Sequence, residues 1–449
     1  MSCSLRWCLV TALSSAIAGS ALAAPPRSDV SRAVRESSGV QLVDGVVQGG
    51  GPDYRTVVSP TSFEFTPAFG SAADRTYPWS YALVSIERTD GTVLWSADSS
   101  LDARELPRVD GVRASIARGA NVVEIYDHRV DGVEQSFALA SRPAGSGDLV
   151  VRGRITTDLT LPPSGRFDDG VEFTAAGLGA TRLGRVLGVD ANGAQAPGGL
   201  RVDGAIVEYS LPASFVDSAA YPMVVDPLIG AATNVASGFD EEDPDAAFEA
   251  SFNTWCVVWR RVFSTSDSDV RAQRFDTNGS LIGGLILVDA STLTGAITPR
   301  VANVTRNEDF VVVWGETSGF LSSAIKARVV KATTGAMSSK LDVGPTTGLN
   351  IECDVSGEYL ELYSHATVVW RQYDTAASQW QIVAARIGLP DAAPPLAFGP
   401  FVVASGFEDS QPSISQTGGQ FGLSMVAWKR TFTDGTVEIR GAIVSRAGV

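Results

Sequence analysis

The chain has 449 residues, of which 44% are hydrophobic, and its 50 acidic against 35 basic side chains give a formal net charge of −15. This length suits two or three domains. The acidic balance argues against nucleic acid as a partner, because affinity for phosphates depends on basic side chains. With only 2 histidines, the chain has little material for a histidine-dependent catalytic triad or a zinc helix.

The first 23 residues have the pattern of a secretory signal peptide. Arg6 supplies a positive charge, an apolar stretch runs from Trp7 to about Ala18, and Ala21-Leu22-Ala23 is a small-x-small cleavage site. We therefore expect an exported protein that is periplasmic, cell-surface or extracellular. No later run reaches the roughly 18 apolar residues of a spanning helix, so we expect no membrane span in the mature chain.

Residues 24–230 are predicted to form an antiparallel, hairpin-rich, sandwich-like domain. Short runs rich in β-branched and aromatic residues are joined by Asp90-Gly91, Asp131-Gly132 and Asp203-Gly204. Such pairs supply the positive φ angles of tight hairpin turns. We find no helical periodicity here.

One predicted strand of this domain carries three polar side chains at alternate positions, Glu124, Tyr126 and His128. Strand alternation places them on one face. We interpret this as the solvated face of a half-buried strand, with metal or sugar binding as the alternative.

A signature of the type Val-Val-Trp recurs four times in residues 231–449, ending at Trp259, Trp314, Trp370 and Trp428. The steps between the tryptophans are 55, 56 and 58 residues, which indicates one structural unit copied four times. Each copy has runs for short strands, so the fold class is all-β, with a four-bladed β-propeller after the first domain. The four tryptophans are predicted to pack between blades.

A second recurrence predicts how the ring closes. Residues Val235 to Asp240 return as Val403 to Glu408, an offset of 168 residues, and the fourth copy stops after its third strand. The strand from Thr233 to Ala236 is therefore expected to complete the fourth blade. A chain cut short of further copies, or two chains sharing an eight-bladed ring, remain alternatives.

The repeats resemble those of large secreted bacterial surface proteins with β-propeller-type Val-Val-Trp and Ala-Gln-Arg-Phe-Asp motifs. The resemblance is carried by Val257-Val258-Trp259 and by Ala272-Gln273-Arg274-Phe275-Asp276. It implies a propeller in an extracellular protein, usually without assigned activity. It does not imply calcium, since the chain lacks the glycine-aspartate nonapeptides of some such proteins.

An acidic cluster at the start of the first copy, Asp240, Glu241, Asp243 and Asp245, is a candidate metal site. Calcium prefers six to eight oxygen ligands of this kind, and calcium is the only cofactor we consider; the alternative is a solvated acidic turn. Trp255 and Trp380 lie out of register with the repeated tryptophans, so they are candidates for stacking on a sugar.

The function that these patterns favour is a non-enzymatic exported binding or surface-scaffold protein that recognises a protein or glycan through propeller loops. The alternative is a secreted, glycosidase-like hydrolase that uses paired carboxylates on the propeller face. A third reading is that the repeats only space or display the first domain. The mature chain retains Cys256 and Cys353, and the sequence does not decide whether these two residues pair.

Overall fold

The computed structural model describes residues 38–98, 105–234, 240–291, 294–304, 308–317, 322–357, 365–389, 396–406, 408–416 and 423–445, with backbone only at 227–234 and 396–398. The predicted signal peptide lies outside these residues. The described fold is all-β, as expected, with one short helix, α1 (Ala213–Ser218), and a 3₁₀ turn at Gly70–Ala72. None of the described helices is long and apolar enough to cross a membrane.

The first part of the chain forms two antiparallel sheets. Its strands are β1 (Gly39–Val43), β2 (Val46–Gly51), β3 (Tyr54–Val58), β4 (Phe63–Pro67), β5 (Trp79–Arg88), β6 (Val93–Ser96), β7 (Arg108–Asp110), β8 (Arg113–Ala117), β9 (Val122–Arg129), β10 (Gly132–Leu139), β11 (Leu149–Thr157), β12 (Gly165–Phe167), β13 (Val171–Ala175), β14 (Gly179–Val189), β15 (Gln195–Pro197), β16 (Gly199–Asp203), β17 (Ile206–Leu211) and β18 (Met223–Asn234). One sheet has the order β1-β2-β3-β4-β5-β11-β17-β16-β12, with β6 on β5, and the other the order β13-β14-β18-β10-β9-β8-β7, with β15 on β14.

These two sheets share one apolar core. Alternate side chains of each strand point inward, as in β5, where Trp79 and Tyr81 are buried. The core spans Val47 to Val225 and draws on both sheets; for example, the ring centroids of Phe63 on β4 and Tyr126 on β9 lie 4.4 Å apart. The predicted hairpins are confirmed as β5–β6, β9–β10 and β16–β17.

The prediction of a solvated face on β9 was wrong. Glu124, Tyr126 and His128 are buried, because β9 lies between β8 and β10 and its alternate positions face the core. The charge of Glu124 is satisfied there: Arg118 Nε donates to its Oε2 at 2.8 Å and Gln135 Nε2 to its Oε1 at 3.0 Å. Buried polar groups are tolerated when they are bonded in this way.

The repeats form the second part of the chain. Their strands are β19 (Glu241–Glu249), β20 (Thr254–Ser264), β21 (Asp267–Phe275), β22 (Leu281–Asp289), β23 (Gly295–Val304), β24 (Asp309–Thr317), β25 (Ser323–Lys331), β26 (Leu341–Asp342), β27 (Asn350–Ser356), β28 (His365–Asp374), β29 (Gln379–Gly388), β30 (Leu396–Ala404), β31 (Glu408–Ile414), β32 (Ser424–Thr431) and β33 (Val437–Val444). Each copy is one antiparallel unit, β19–β22, β23–β26, β27–β30 and β31–β33; the first two units are joined by a parallel bridge between Ser268 and Gly295.

A bulge repeats at the same place in the first strand of every unit. Asp243, Thr298, Glu352 and Gln411 have positive φ angles of 52°, 50°, 53° and 52°, and the pairing register shifts there in all four strands. Pro244, Pro299 and Pro412 follow three of these residues at positions outside the ladder, where no N–H is needed. The common geometry supports four copies of one unit.

The repeated tryptophans are buried, as predicted. Trp314 shares a cluster with Val258 of the unit before it, Trp370 with Val313, and Trp428 with Val369. Strand alternation explains why each tryptophan packs against the preceding unit. Successive side chains point to opposite faces of the sheet, so the valine next to the tryptophan faces the following unit. The units therefore pack in sequence through one repeated contact.

The predicted ring closure is contradicted by the described residues. Thr233 pairs with Ala180 and Asn234 with Gly179, so the end of β18 belongs to a sheet of the first domain and not to the fourth unit. Residues 235–239, the rest of that predicted strand, lie outside the described part of the chain. No sheet closes on itself within the described residues, and the four-bladed ring stays a prediction.

Candidate binding cleft

The first domain is fixed to the first repeat unit by a buried cluster of charges. Arg55 on β3 donates from Nη1 to Asp267 Oδ1 at 2.9 Å and to Asp269 Oδ1 at 2.6 Å. Arg271 reaches back from β21 and donates to the carbonyl of Gly51 at 2.6 Å. Bonded charges of this kind fix the relative position of the two parts, since moving one partner away would leave the other buried and unpaired.

A second contact joins strand β1 to the outer strand of the first unit, β22. The Leu285 amide donates to the carbonyl of Ser38 at 3.1 Å, and Gln41 Nε2 donates to the carbonyl of Leu287 at 2.6 Å. Gly39 is required at this crossing, because a Cβ there would lie 1.7 Å from the carbonyl oxygen of Leu285.

A cleft of about 870 Å³ opens beside this contact. Its first wall is the β1 strand with the turn to Asp44, together with Gly111 and Val112 from the β7–β8 turn. The opposite wall is β22 around Gly283–Ile286 and the connection 334–340 of the second unit. The cleft therefore lies between the first domain and the junction of the first two repeat units.

Arg274 points into this junction from β21. Its cross-strand partner is Cys256, whose face packs against the second unit. Arg274 as a whole residue is 4% exposed, and its Nη1 donates to the carbonyl of Ala332 at 2.6 Å. Burial lowers the pKa of Arg274.

Arg328 points into the same junction from the other side. Its cross-strand partner on β24 is Val312, which belongs to the core between the first two units. The side chain is 8% exposed, and its only hydrogen-bond partner in the described residues is Met337 Sδ, 3.9 Å from Nη1. A thioether is a weak acceptor. Burial lowers the pKa of Arg328, and the charges of Asp289, Asp44 and Glu316 oppose this shift without bonding to the guanidinium, so this buried cation is poorly satisfied.

Lys340 also lines the cleft and connects it to a pair of carboxyl groups. Its Nζ lies 2.5 Å from Glu316 Oε2 and 3.5 Å from Asp289 Oδ1. Burial raises the pKa of Asp289 to about 6, although Lys340 opposes this. Burial also acts on Glu316, but the hydrogen bond and charge of Lys340 keep the pKa of Glu316 below its ordinary value. Neither carboxylate lines the cleft itself.

Each residue of the predicted metal site has another partner. Asp240 Oδ2 accepts from the Ser71 amide at 2.7 Å, and Asp245 Oδ2 accepts from the Val301 amide at 2.8 Å. Glu241 lies 3.4 Å from Arg261 Nη1 and Asp243 3.6 Å from Arg260 Nε. Among the described residues no group of three or more His, Cys, Asp or Glu is placed to hold a metal ion; calcium binding stays a prediction.

The two predicted sugar-stacking residues are not brought together. Trp255 is 42% exposed near the β19–β20 turn, with its ring 4.6 Å from that of Phe248. Trp380 is half-buried near the β28–β29 turn, where the Arg371 guanidinium lies 3.9 Å from its ring centroid. Neither lines the cleft.

The cleft residues were missed by sequence reasoning, although Arg274 lies inside the quoted Ala272 to Asp276 motif. The available signal was alternation: Arg274 shares a face with Cys256, and Arg328 shares one with Val312, so each cation belongs to a face that a neighbouring unit covers. The position of the first domain against β22 could not be deduced from the repeat pattern.

No family model and no curated protein matches the sequence. Among solved structures, an α-L-arabinofuranosidase from Podospora anserina in complex with cellotriose is similar at a TM-score of 0.31 and 11% identity, over 48% of this chain and 68% of that one. An N-acetylgalactosamine deacetylase from F. plautii in complex with blood group B trisaccharide is similar at a TM-score of 0.30 and 11% identity, over 47% of this chain and 74% of that one. The endo-arabinase from Bacteroides thetaiotaomicron VPI-5482 is similar at a TM-score of 0.29 and 10% identity, over 64% of this chain and 97% of that one. Similarity at this level carries no argument about activity.

Proposed function

We propose that the protein is an exported, non-enzymatic binding module that holds a glycan in the cleft between its first domain and its first two repeat units. The cleft itself carries the proposal. Its volume of about 870 Å³ falls within the roughly 300–1,000 Å³ of small-ligand pockets. A concave site of this size suits a short oligosaccharide better than the flat contact of a protein partner.

The walls of the cleft support binding without large rearrangement. Strands β1 and β22 are joined by the Leu285 and Gln41 hydrogen bonds, and the connection 334–340 is held by the Lys331 amide bonded to the Ala336 carbonyl at 2.8 Å. Sites built on bonded strands lose little entropy on binding. The first domain then does more than sit beside the repeats, since it supplies one wall.

A glycan array probed with the chain lacking its predicted signal peptide tests this function. We expect saturable binding of at least one glycan class, with and without calcium; dependence on calcium would support the Asp240 to Asp245 cluster as a second site. Cleft occupancy is checked with Leu42→Trp, because Leu42 lines the cleft and is 57% exposed. Binding that is unchanged in this variant would place the ligand elsewhere.

A glycosidase-like hydrolase is the second candidate, favoured by one observation. Asp289 and Glu316 lie behind the lining of the cleft, differ in the direction of their pKa shifts and share Lys340, which does line the cleft; catalysis would require one of the two carboxyl groups to reach the ligand. Any glycan that binds is to be assayed for new reducing ends. If Glu316→Gln abolishes product formation but retains the affinity for the glycan, the protein is a hydrolase and not only a binding module.

A further inference from the structure

We propose that the cleft recognises an anionic group of its ligand, a carboxylate or a sulfate, through Arg274 and Arg328. This rests on the proposed function for the glycan nature of the ligand. The anion site itself follows from the two arginines.

The first argument is that these two buried cations lack the partners that other buried arginines of this chain have. Arg55 is paired with Asp267 and Asp269, Arg261 with Asp53, and Arg118 with Glu124. Within the described residues neither Arg274 nor Arg328 has a carboxylate within 4.0 Å of its guanidinium. A buried charge is costly unless an opposite charge meets it, and an anionic ligand would supply that charge.

The second argument is that two glycines make room for the Arg274 guanidinium. A Cβ on Gly283 would lie 2.9 Å from Arg274 Nη2, and one on Gly335 would lie 3.2 Å from both Nε and Nη2. Both glycines have positive φ, 70° and 78°, so their turns also favour glycine. The walls of the cleft are thus shaped around this cation.

The third argument is the balance of charge in the cleft. Three basic side chains line it, Arg274, Arg328 and Lys340, against one acidic side chain, Asp44. The two carboxylates nearby, Asp289 and Glu316, lie behind the lining and are bonded to Lys340. The lining of the cleft therefore carries a net positive charge, in a chain whose net charge is −15, and this excess would favour an anionic ligand.

Guanidinium groups suit either anion. Their N–H donors form a planar fork that matches the oxygens of a carboxylate, and they bind sulfate or phosphate oxygens equally well. The proposed ligand is therefore a sugar that carries an anionic group. Experiment decides whether that group is a carboxylate or a sulfate.

The first test uses inorganic sulfate as the probe. Thermal unfolding is followed against sulfate, with chloride at matched ionic strength, for the wild type, Arg328→Gln, Arg274→Gln and the control Arg201→Gln, whose side chain is half exposed on the first domain. Sulfate raises the unfolding temperature of every variant by exclusion from the surface. We expect a further, saturable rise in the wild type and in Arg201→Gln that is absent in Arg328→Gln and reduced in Arg274→Gln. Equal curves for all four would overturn the proposal.

A second pair of variants keeps the test valid if the arginine variants fail to fold. Leu42→Glu and Leu42→Lys change the charge of the cleft rim at an exposed position. We expect sulfate binding to weaken about tenfold in Leu42→Glu and to strengthen in Leu42→Lys, as the sign of a neighbouring charge dictates. Sulfate binding that is indifferent to both changes would place the anion outside the cleft.

The ligand class is then tested with a trigalacturonate, its methyl ester and a sulfated trisaccharide. We expect the ester to bind about 10- to 100-fold more weakly than the acid, the loss typical of a charged hydrogen bond; preference for the sulfated sugar would assign the anion to sulfate. Array binding of neutral glycans alone would overturn this inference and leave the proposed function standing. Sulfate binding without any glycan binding would support the anion site and contradict the proposal that the ligand is a glycan.

Discussion

Arg55 of the first domain donates to Asp269 of the first repeat unit, with 2.6 Å between Nη1 and Oδ1. The two residues are 214 positions apart in the chain and both are buried. Burial raises the pKa of Asp269, and Arg55 acts against that shift. The pair fixes the first domain at the edge of the cleft, so the shape of the cleft depends on it.

Replacing Arg55 by Ala should destabilise the protein strongly. The change leaves Asp267 and Asp269 in a buried site without their main counter-charge, which typically costs about 3–5 kcal/mol. Urea unfolding followed by tryptophan fluorescence measures the loss. Arg201→Ala, at an exposed pair with Asp203, is the control and should change stability by less than about 1 kcal/mol. A similar small loss for Arg55→Ala would mean that the interface is not fixed by these charges.

The carboxyl of Asp289 should give the protein a distinct pH dependence. Its pKa is raised to about 6 in the folded protein, chiefly by burial, whereas the unfolded chain has the ordinary value near 3.8. The contribution of the Asp289 carboxyl to the free energy of unfolding is therefore fully present below about pH 4, and it is lost as the pH rises through about 6. A difference of about two pKa units between the folded and unfolded states corresponds to a loss on the order of 3 kcal/mol across this pH range.

Asp289→Asn tests this pH dependence, because an amide oxygen can still accept from Trp314 Nε1 but does not ionise. Urea unfolding at pH 4.5 and pH 7 should show a smaller fall in stability for Asp289→Asn than for the wild type. Asp342→Asn, half exposed beside Lys326, should keep the wild-type fall. An identical fall in all three would remove Asp289 as the cause.

Trp314→Ala should cost about 3–5 kcal/mol, as expected when a fully buried tryptophan is truncated. Trp314 lies between the first two units and its Nε1 bonds to Asp289. Trp255→Ala is the matched control, because Trp255 is 42% exposed, and it should cost less than about 1 kcal/mol. Equal losses for the two variants would contradict the packing of Trp314 between units.

The two cysteines of the repeats should be free and inert in the native protein. Cys256 and Cys353 are both buried and unpaired, and burial raises the pKa of each thiol to about 12. Because the thiolate is the reactive form, dithiobis-nitrobenzoate should react with neither thiol until the protein is unfolded, and then with both. A chain that shows no thiol after unfolding without reductant would contain a disulfide instead.

The repeat unit could be predicted from the sequence because its signals are local. The spacing of Trp259, Trp314 and Trp370 gives the copies, and alternation gives the buried face of each strand. The hairpins at Asp90-Gly91 and Asp131-Gly132 follow from turn chemistry for the same reason.

What could not be predicted depends on contacts between distant segments. The face of Glu124 was assigned to solvent because polarity suggested exposure, but Arg118 and Gln135 satisfy it in the core. The end of β18 was assigned to the fourth unit because the sequence that follows resembles Val403–Glu408, but in the structure it pairs with β14 of the first domain. The cleft needs the crossing of β1 and β22, which no repeat period encodes.

Amide hydrogen exchange with and without bound ligand tests the central claim, that the ligand lies between the first domain and the first two units. The ligand is the best glycan from the array, or sulfate if no glycan binds. We predict slower exchange at 38–44, 283–286 and 334–340, with no change at 240–245 or around Trp255 and Trp380. Protection at the acidic cluster or at either tryptophan, with the cleft segments unchanged, would contradict the account.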